Sequence, residues 1–261
     1  MLFPESPRVI YSKNPLISVV CQLRFPTILK IDAQLPVDFQ EEIREQFPLF
    51  RQQTQQISFA QIPPELAKQI KIPPSAVANA YEFSSADGGT TITLTKDFLA
   101  LATNNYQRWE NFKANLAKPI EALEKVYSPA FFTRVGLRYQ DLIDRSSLGL
   151  KGVGWGQLLE PHIAGVLAWG DVEGSVDVSA VKAELRLQDF NGRVSLQHGL
   201  AESEDSKELC YLIDTDFFTN ENTSIQNATN VLNSFNKNAR ELFRWCITEK
   251  LHNAMEPRSI I

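Results

Sequence analysis

The longest hydrophobic pattern in the chain lies near its C-terminus, over residues 224–255. Apolar side chains recur there at steps of three and four residues, which is the spacing of one broad face of an α-helix. The members of this stripe are Ile225, Ala228, Val231, Leu232, Phe235, Ala239, Leu242, Phe243, Cys246, Ile247 and Leu251. Thr223 and Gln226 have the spacing of a capping box, and Pro257 provides a stop. The pattern predicts one continuous helix of about 32 residues, roughly 48 Å long, lying on a sheet.

The first half of the chain changes between strand and helix patterns. Apolar and polar positions alternate over residues 16–25, which predicts a strand, and Pro36 begins a predicted helix that ends near Phe47. Three short strands, joined by hairpin-turn residues, and a second helix follow. Their predicted bounds are 80–84, 90–95, 98–103 and 106–127.

The second half of the chain repeats this order of elements. It is predicted to contain a strand, a helix, three further strands and the C-terminal helix, and the first five have the bounds 131–143, 155–167, 175–187, 193–200 and 208–217. Regular repetition of this kind is typical of duplicated architectures. We therefore expect an α+β fold built from two β-α-β-β-β-α units, 1–128 and 129–261, within one compact unit. The two units would form an extended antiparallel sheet with two long helices packed on one face.

The segment 51–78 differs in composition from its surroundings. It is rich in glutamine, and four prolines, Pro63, Pro64, Pro73 and Pro74, interrupt it. A short helix is predicted at 65–70. The segment is either a surface excursion between core elements or an arm that binds a partner.

Composition and charge narrow the classes of function. The chain has 261 residues, of which 43% are apolar and 22% charged, which is typical of a globular protein. The net charge is −5 and no Lys/Arg-rich run occurs, which argues against nucleic acid as a partner. The most apolar stretch, 152–170, is broken by Glu160, Pro161 and His162, so no membrane span is predicted.

The cysteines and the N-terminal residues favour a cytoplasmic location. Cys21, Cys210 and Cys246 are far apart in sequence and none belongs to a C-x-x-C pair. Each lies in an apolar run, so we expect buried, reduced thiols. Residues 1–10 contain two prolines and no apolar signal core.

No catalytic motif stands out in the sequence. His162, His198 and His252 lack H-x-x-x-H or H-E-x-x-H partners, and we interpret them as solvated or helix-capping residues. The glycines of 152–156 lack the G-K-[ST] of a phosphate loop and are interpreted as a flexible connector. The sequence therefore predicts no catalytic residue, no metal site and no cofactor.

Charged side chains recur inside the predicted strands. Arg134 and Arg138 share one face of their strand, and Asp214 and Asp216 share one face of the last strand, because each pair is an even number of residues apart. An unpaired charge is costly to bury, so such a face is either solvated or internally paired. We expect these charges opposite the helices, on a surface that is either merely solvated or binds a partner. The partner-binding candidates are Arg24, Arg134, Arg138, Asp141, Asp214 and Asp216.

Several short stretches resemble an uncharacterised prokaryotic family of sporadic distribution. The matching residues are Asn14, Pro15 and Leu16, then Val19 to Pro26, Val135 to Tyr139, Phe235 to Ala239, Leu242, Phe243, Ile247 and Thr248. The resemblance covers nearly the whole chain. It implies one full-length unit and supplies no catalytic residue.

These observations favour a soluble, non-catalytic module that binds another protein. The sporadic distribution of the resembling family extends this expectation to a partner encoded nearby, such as a toxin or a defence component, which the module would neutralise or assist. The alternative is an enzyme or small-ligand binder that uses the Asp and Arg residues of the sheet. An enzyme is expected to have a concave pocket with carboxylates of raised pKa, and a binding module a broad exposed patch. The partner's identity and the oligomeric state stay open.

Overall fold

The computed structural model describes residues 2–53, 79–203 and 207–259. Its strands are β1 (Val9–Tyr11), β2 (Leu16–Arg24), β3 (Leu49–Gln53), β4 (Ala80–Ser84), β5 (Thr90–Leu94), β6 (Phe98–Thr103), β7 (Arg134–Ile143), β8 (Ala180–Arg186), β9 (Arg193–Glu202), β10 (Leu209–Thr219) and β11 (Pro257–Ser259). Within the described residues, nine of them form one antiparallel sheet in the order β3-β4-β5-β6-β2-β7-β10-β9-β8. The short strands β1 and β11 pair separately.

The α-helices of the described ranges vary greatly in length. They are α1 (Leu29–Ala33), α2 (Val37–Ile43), α3 (Trp109–Tyr127), α4 (Pro161–Ala164), α5 (Gly170–Glu173), α6 (Ala228–Cys246) and α7 (Glu249–Ala254). Short 3-10 turns precede or join some of them, at Trp155–Gln157, Gly165–Ala168 and Ile225–Asn227. Helices combined with a large antiparallel sheet confirm the predicted α+β class.

The chain divides into two compact units, which do not coincide with its two halves. The terminal unit comprises Met1–Ser18, Leu137–Thr219 and Asn230–Ile261, and the central unit comprises Val19–Gly136 and Asn220–Thr229. The first 18 residues therefore belong with the second half of the chain, and not with residues 19–128.

The core of the central unit is a set of cross-strand rows on one face of its strands. Cys21, Leu101, Ile92 and Phe83 stand opposite one another in register and are fully buried. Phe39 of α2 lies against Phe83, with ring centroids 5.6 Å apart. Buried and more exposed positions alternate from Ser18 to Arg24 of β2, as expected from the pleat of a strand with one covered face, whereas Ile17 near its start is 42% exposed.

The core of the terminal unit forms where α6 packs on β10. Phe217 of β10 and Phe235 of α6 are fully buried, with ring centroids 6.4 Å apart. Leu232 and Leu242 are buried on the same stripe of α6, as the three- and four-residue spacing predicts. Burying each such side chain contributes about 1.5–3 kcal/mol.

The prediction of one continuous C-terminal helix is wrong. A 3-10 turn precedes α6, and the helix ends at Cys246 because Ile247 leaves it to form an isolated bridge with Leu159. Thr248 then caps α7 through a contact with the N–H of Leu251. The predicted capping box does not form, since the hydroxyl of Thr223 donates to the carbonyl of Glu221 and the amide of Gln226 donates to the carboxylate of Glu124. The apolar stripe continues through Ile247, because that residue stays buried although its backbone is not helical.

The predicted helix over 155–167 is replaced by short turns, and the sequence did not predict the strands β1, β3 and β11 or the short helices α1 and α5. The chain there forms a 3-10 turn, α4 and a second 3-10 turn, because Pro161 starts a new helix and Gly165 at φ 53° ends it. The edge strand β3 is largely exposed and has no alternation to detect. The pair β1–β11 is only three residues long on each side.

The repeat of element order holds only in part. Residues 129–261 contain the strand, the three later strands and the long helix α6, whereas residues 1–128 contain the additional strand β3. The duplication and the placement of both long helices on one face stay predictions. The predicted helix at 65–70 and most of the segment 51–78 lie outside the described residues.

The burial of Leu242 makes α6 a sensitive point for folding. We expect Leu242→Ala to lower the free energy of unfolding by about 2–5 kcal/mol, because the cavity it leaves is fully enclosed. Leu242→Asp would add an unpaired buried carboxylate and prevent folding. Urea unfolding followed by circular dichroism measures both. Thr229→Asp, at an exposed position in the first turn of α6, is the control and should change stability by less than about 1 kcal/mol.

Candidate functional site

Two of the six predicted site residues form a buried ion pair in the terminal unit. The Nε of Arg138 on β7 donates to Oδ1 of Asp214 on β10 at 2.7 Å, and a second guanidinium nitrogen bonds to Oδ2. The two side chains are only 19% and 5% exposed. Such a two-point pair is geometrically specific and strong. The prediction that strand arginines and aspartates meet is therefore confirmed for this pair.

The surroundings of the pair are polar. The amide of Gln140 donates to Oδ2 of Asp214 at 3.4 Å. Burial disfavours the charged guanidinium, but the hydrogen bond and charge of Asp214 and the charge of Asp216 outweigh it and raise the pKa of Arg138. Asp214 and Asp216 lie on the face of β10 opposite Phe217, and hence opposite α6. This is the face on which the sequence predicted charge.

Asp141 lies on the other face of β7 from Arg138. The prediction that it meets the strand arginines together with Asp214 and Asp216 is therefore wrong. It is an odd number of residues from Arg138, so the pleat of β7 turns it to the side of the fully buried Val135 and Leu137. Its carboxyl is buried near Tyr11 and near Cys246 of α6, whose pKa values it helps to raise. The sequence suggested that Asp141, near the end of its strand, would meet the arginines. The face of the strand on which a side chain lies, and not its distance from the strand end, determines which residues it meets.

Burial makes Asp141 an unusual acid. Loss of solvation, with a smaller contribution from the charge of Asp214, raises its pKa to about 8. Desolvation also raises the pKa of Tyr11 to about 12, and the Tyr11 hydroxyl is hydrogen-bonded to Nδ1 of His252 at 2.7 Å. Asp141 is therefore protonated and neutral over most of the physiological pH range.

Arg24 and Arg134 belong to the central unit and have separate partners there. Arg24 lies 3.8 Å from Asp97 in a solvent-exposed ion pair. Arg134 donates to the side-chain oxygen of Gln22 at 3.1 Å. Its guanidinium lies over Gly136, where a Cβ atom would be 2.1 Å from Nη1. Gly136 thus leaves the space that the arginine side chain occupies.

The histidines divide into three environments. His198 is buried, and its Nδ1 is 2.6 Å from the hydroxyl of Tyr211, which itself donates to the carbonyl of Ile163 at 3.0 Å. Burial lowers the pKa of His198 to about 4, so the ring is neutral. The interpretation of His198 as solvated or capping is wrong. His162 is exposed, and His252 lies in the last turn of α7, as the sequence indicated.

A surface that the sequence did not predict consists of three exposed apolar side chains, Val166, Trp169 and Val172, which we name the Trp169 surface. They are 48%, 72% and 40% exposed. Backbone hydrogen bonds from Trp169 to Val166 and from Val172 to Trp169 form successive tight turns. Between the two turns the backbone of Trp169 is extended, at φ −96° and ψ 97°, so the three side chains follow one another along the chain without sharing one helical face. The signal was present as a V-x-x-W-x-x-V pattern, but the helix predicted over 155–167 ended between Val166 and Trp169.

The chain that carries Trp169 is anchored on the body of the terminal unit. Oε1 of Glu173 accepts the N–H of Trp155 at 3.0 Å and lies 3.5 Å from Arg145. The Arg145 guanidinium stacks over the Trp155 ring at 4.3 Å. Gly154 permits the approach of Glu173, since a Cβ there would be 2.6 Å from Oε2. Of the glycines interpreted as a flexible connector, Gly154 and Gly156 thus serve close packing, whereas Gly152 has open space around it and adopts φ 79°.

A cavity of about 330 Å³ adjoins this anchor. Its lining combines the anchor with glycine backbone and apolar side chains: Arg145, Gly152, Gly154, Trp155, Leu167, Gly170, Glu173, Gly174, Val176, Leu200 and Leu209. Both charged groups of the lining contact each other and protein groups. The cavity therefore presents no free ion pair to a ligand.

In the part of the chain that the structure describes, no three His, Cys, Asp or Glu side chains come together in a way that suits a metal ion. No helix of these ranges is long and apolar enough to cross a membrane. All three cysteines are free and buried, as predicted. Comparison of the chain with protein-family models, with curated proteins and with solved structures finds no match.

We expect the Arg138–Asp214 ion pair to contribute to the stability of the folded protein. We expect Arg138→Ala to lower the free energy of unfolding by about 3–5 kcal/mol, because it leaves the Asp214 carboxylate buried without its cation. Arg24→Ala, which removes an exposed pair, is the matched control and should cost about 0–1 kcal/mol. Chemical denaturation measures both. Equal, small effects for the two variants would contradict the assignment.

The raised pKa of Asp141 makes stability depend on pH. The unfolded chain releases this proton near pH 4, whereas the folded protein holds it up to about pH 8. Stability due to Asp141 is therefore fully present below pH 4 and is lost as the pH rises to about 8, by about 1.4 kcal/mol per unit. Asp141→Asn keeps a neutral side chain of the same shape and should remove this loss.

The measurement is urea unfolding of wild type and Asp141→Asn at several pH values between 5 and 9. The stability of the variant relative to wild type should increase with pH. Asp177→Asn, at an exposed position, should show no such trend. A constant difference between Asp141→Asn and wild type would mean that the carboxyl titrates normally in the folded protein.

Proposed function

We propose that the protein is a binding module for another protein and that the Trp169 surface is the contact. The observation that carries this proposal is the exposure of Trp169, at 72%, on a chain segment that is anchored by Glu173. A large aromatic side chain on a pre-ordered surface loses little conformational freedom on binding, and tryptophan is enriched among residues that dominate interface energies. The flanking valines extend the apolar contact.

The surroundings of the charged residues predicted to bind a partner support a smaller part for them in binding. Arg138 and Asp214 bind each other and are largely buried, so they are not available for a partner without losing that pair. Arg24 is exposed and Asp216 is half-buried, and they stay candidates for polar contacts that tune specificity. The partner is a protein encoded nearby, such as a toxin or defence component, if the family resemblance holds.

A second candidate function is that of an enzyme with Asp141 as its acid. One observation favours it, the raised pKa of Asp141. A carboxyl that holds its proton to about pH 8 has the property of a general acid. It is also sealed beneath α6 near Cys246, where a substrate would need an opening of the core. Binding through an exposed aromatic side chain requires no such rearrangement, and we therefore place it first.

The test places a photo-crosslinking amino acid at position 169 and, as a control, at position 29. Leu29 is 73% exposed on the central unit and matches Trp169 in accessibility. Crosslinking in the native cells followed by mass spectrometry should capture a specific protein from position 169 only. Equal capture from both positions, or no capture from 169, would contradict the proposal.

Mutation of the same surface gives the energetic check. With the captured protein purified, Trp169→Ala should weaken binding by at least about thirtyfold, since interface hot spots contribute 2 kcal/mol or more. Leu29→Ala should leave the affinity unchanged. Melting curves of both variants should match wild type, because each side chain is mostly solvent-exposed. An unaffected affinity for Trp169→Ala would remove the Trp169 surface from the interface.

A further inference from the structure

The outermost strand of the terminal unit, β8, has a free edge. Among the described residues, β9 lies on one side of β8 and no strand lies on the other. Most of β8 is exposed, including Ala180, Val181, Lys182, Glu184 and Arg186. An uncovered edge exposes unpaired N–H and C=O groups that can bond to a further strand.

The hydrogen bonds to β9 determine which groups of β8 are unpaired. Just beyond the two ends of β8, Leu187 N–H donates to Gly192 O and Leu200 N–H donates to Ser179 O, both at 2.8 Å. In an antiparallel ladder, every second residue bonds to the neighbouring strand. Val181, Ala183 and Leu185 therefore bond to β9, and the intervening residues direct their backbone groups outward. Those outward-facing residues are Ala180, Lys182, Glu184 and Arg186.

We propose that a second copy of this chain occupies this edge, with its own β8 antiparallel to the first. Ala183 is the middle residue of β8, which runs from Ala180 to Arg186. A two-fold axis through Ala183 pairs residue 180 with residue 186 of the second copy, and 182 with 184. All seven residues of each β8 strand then have a partner residue in the other copy. The four outward-facing residues of one copy pair with the four outward-facing residues of the second copy. No residue must shift from its position in the single chain.

Charge complementarity selects this register. Lys182 of each copy stands directly opposite Glu184 of the other, so the interface contains two opposite-charge pairs related by symmetry. An axis at Lys182 would place lysine opposite lysine, and an axis at Glu184 would place glutamate opposite glutamate. An axis at Leu185 would oppose Glu184 and Arg186, but it would leave residues 180–183 without partner residues in β8.

Apolar contact adds to the pairing on the other face. Val181 stands beside His198 in register and Leu185 beside Val194, and both of these neighbours are buried. Val181 itself is 49% exposed. In the register centred on Ala183, Leu185 of the second copy stands opposite Val181 and covers it. The small side chain of Ala183 suits the close, non-hydrogen-bonded pair at the axis.

The experiment is sedimentation equilibrium on the purified protein over a wide concentration range. Wild type should dimerise. Lys182→Glu and Glu184→Lys should each weaken the dimer by about tenfold or more, because each turns two attractive pairs into two repulsive ones. The double variant K182E/E184K restores opposite charges and should regain an affinity close to that of wild type.

Controls separate this register from other effects. Lys151→Glu and Glu45→Lys, at exposed positions outside β8, make the same changes of net charge and should leave dimerisation unchanged. Glu184 also binds Arg193 at 2.6 Å, so melting curves should accompany each variant. Lys182→Pro removes an outward N–H without removing a bond to β9, and should also weaken the dimer.

Three outcomes would overturn the inference. They are a wild-type protein that stays monomeric at all concentrations, a double variant as weak as the singles, and rescue by E184K/R186E in place of K182E/E184K. The measurement uses the purified chain alone, so its failure would leave the proposed binding of another protein at the Trp169 surface untouched.

Discussion

Alternate burial along the strands is the constraint on which the rest of this structure depends. Because successive side chains point to opposite faces, placing Phe217 beneath Phe235 of α6 leaves Asp214 and Asp216 on the other face. The same rule places Asp141 under the helix and Arg138 away from it on one strand, β7. The positions of the charged groups are therefore a consequence of where the apolar groups must go.

The charged residues on the two faces of β7 differ in how burial affects their ionisation. Arg138 keeps its charge because Asp214 lies within hydrogen-bond distance and raises the pKa of the guanidinium. Asp141 meets no comparable cation among the described residues, and burial raises its pKa to about 8. Two side chains three residues apart thus illustrate that burial stabilises a charge only when an opposite charge is buried with it.

Much of the fold could be predicted from the sequence, because strands with one covered face and helices with one apolar stripe have distinct periods. The predicted bounds of β2, β4 and β6 agree with those of the structure to within one residue. Backbone breaks were harder to predict. Ile247 keeps the helical spacing of apolar residues although its bridge to Leu159 interrupts the helix, and this contact between residues 88 positions apart leaves no local signal. Periodicity reports which side chains are buried, and it does not report which backbone groups bond to which.

The candidate site likewise contains some features that the sequence predicts and others that it does not. Arg138 and Asp214 could each be placed opposite the helices, because each is an odd number of residues from apolar residues of its own strand, whereas Asp141 was misassigned because its nearness to a strand end outweighed parity. The Trp169 surface escaped prediction because exposure of an aromatic residue depends on what covers it. Only the anchoring of Glu173 by Trp155 and Arg145 reveals how the neighbouring turns are held.

The bridge at Ile247 also affects the order in which the chain becomes structured during synthesis. The N–H of Glu160 bonds to the carbonyl of Cys246 at 3.0 Å, and the N–H of Thr248 bonds to the carbonyl of Leu158 at 2.9 Å. The segment before α4 therefore completes its backbone bonding only after residues about ninety positions later have left the ribosome. On a ribosome-bound nascent chain the backbone bonds of this segment therefore stay incomplete until residues 246–248 have emerged, whereas the contacts of Glu173 with Trp155 and Arg145 need no later part of the chain.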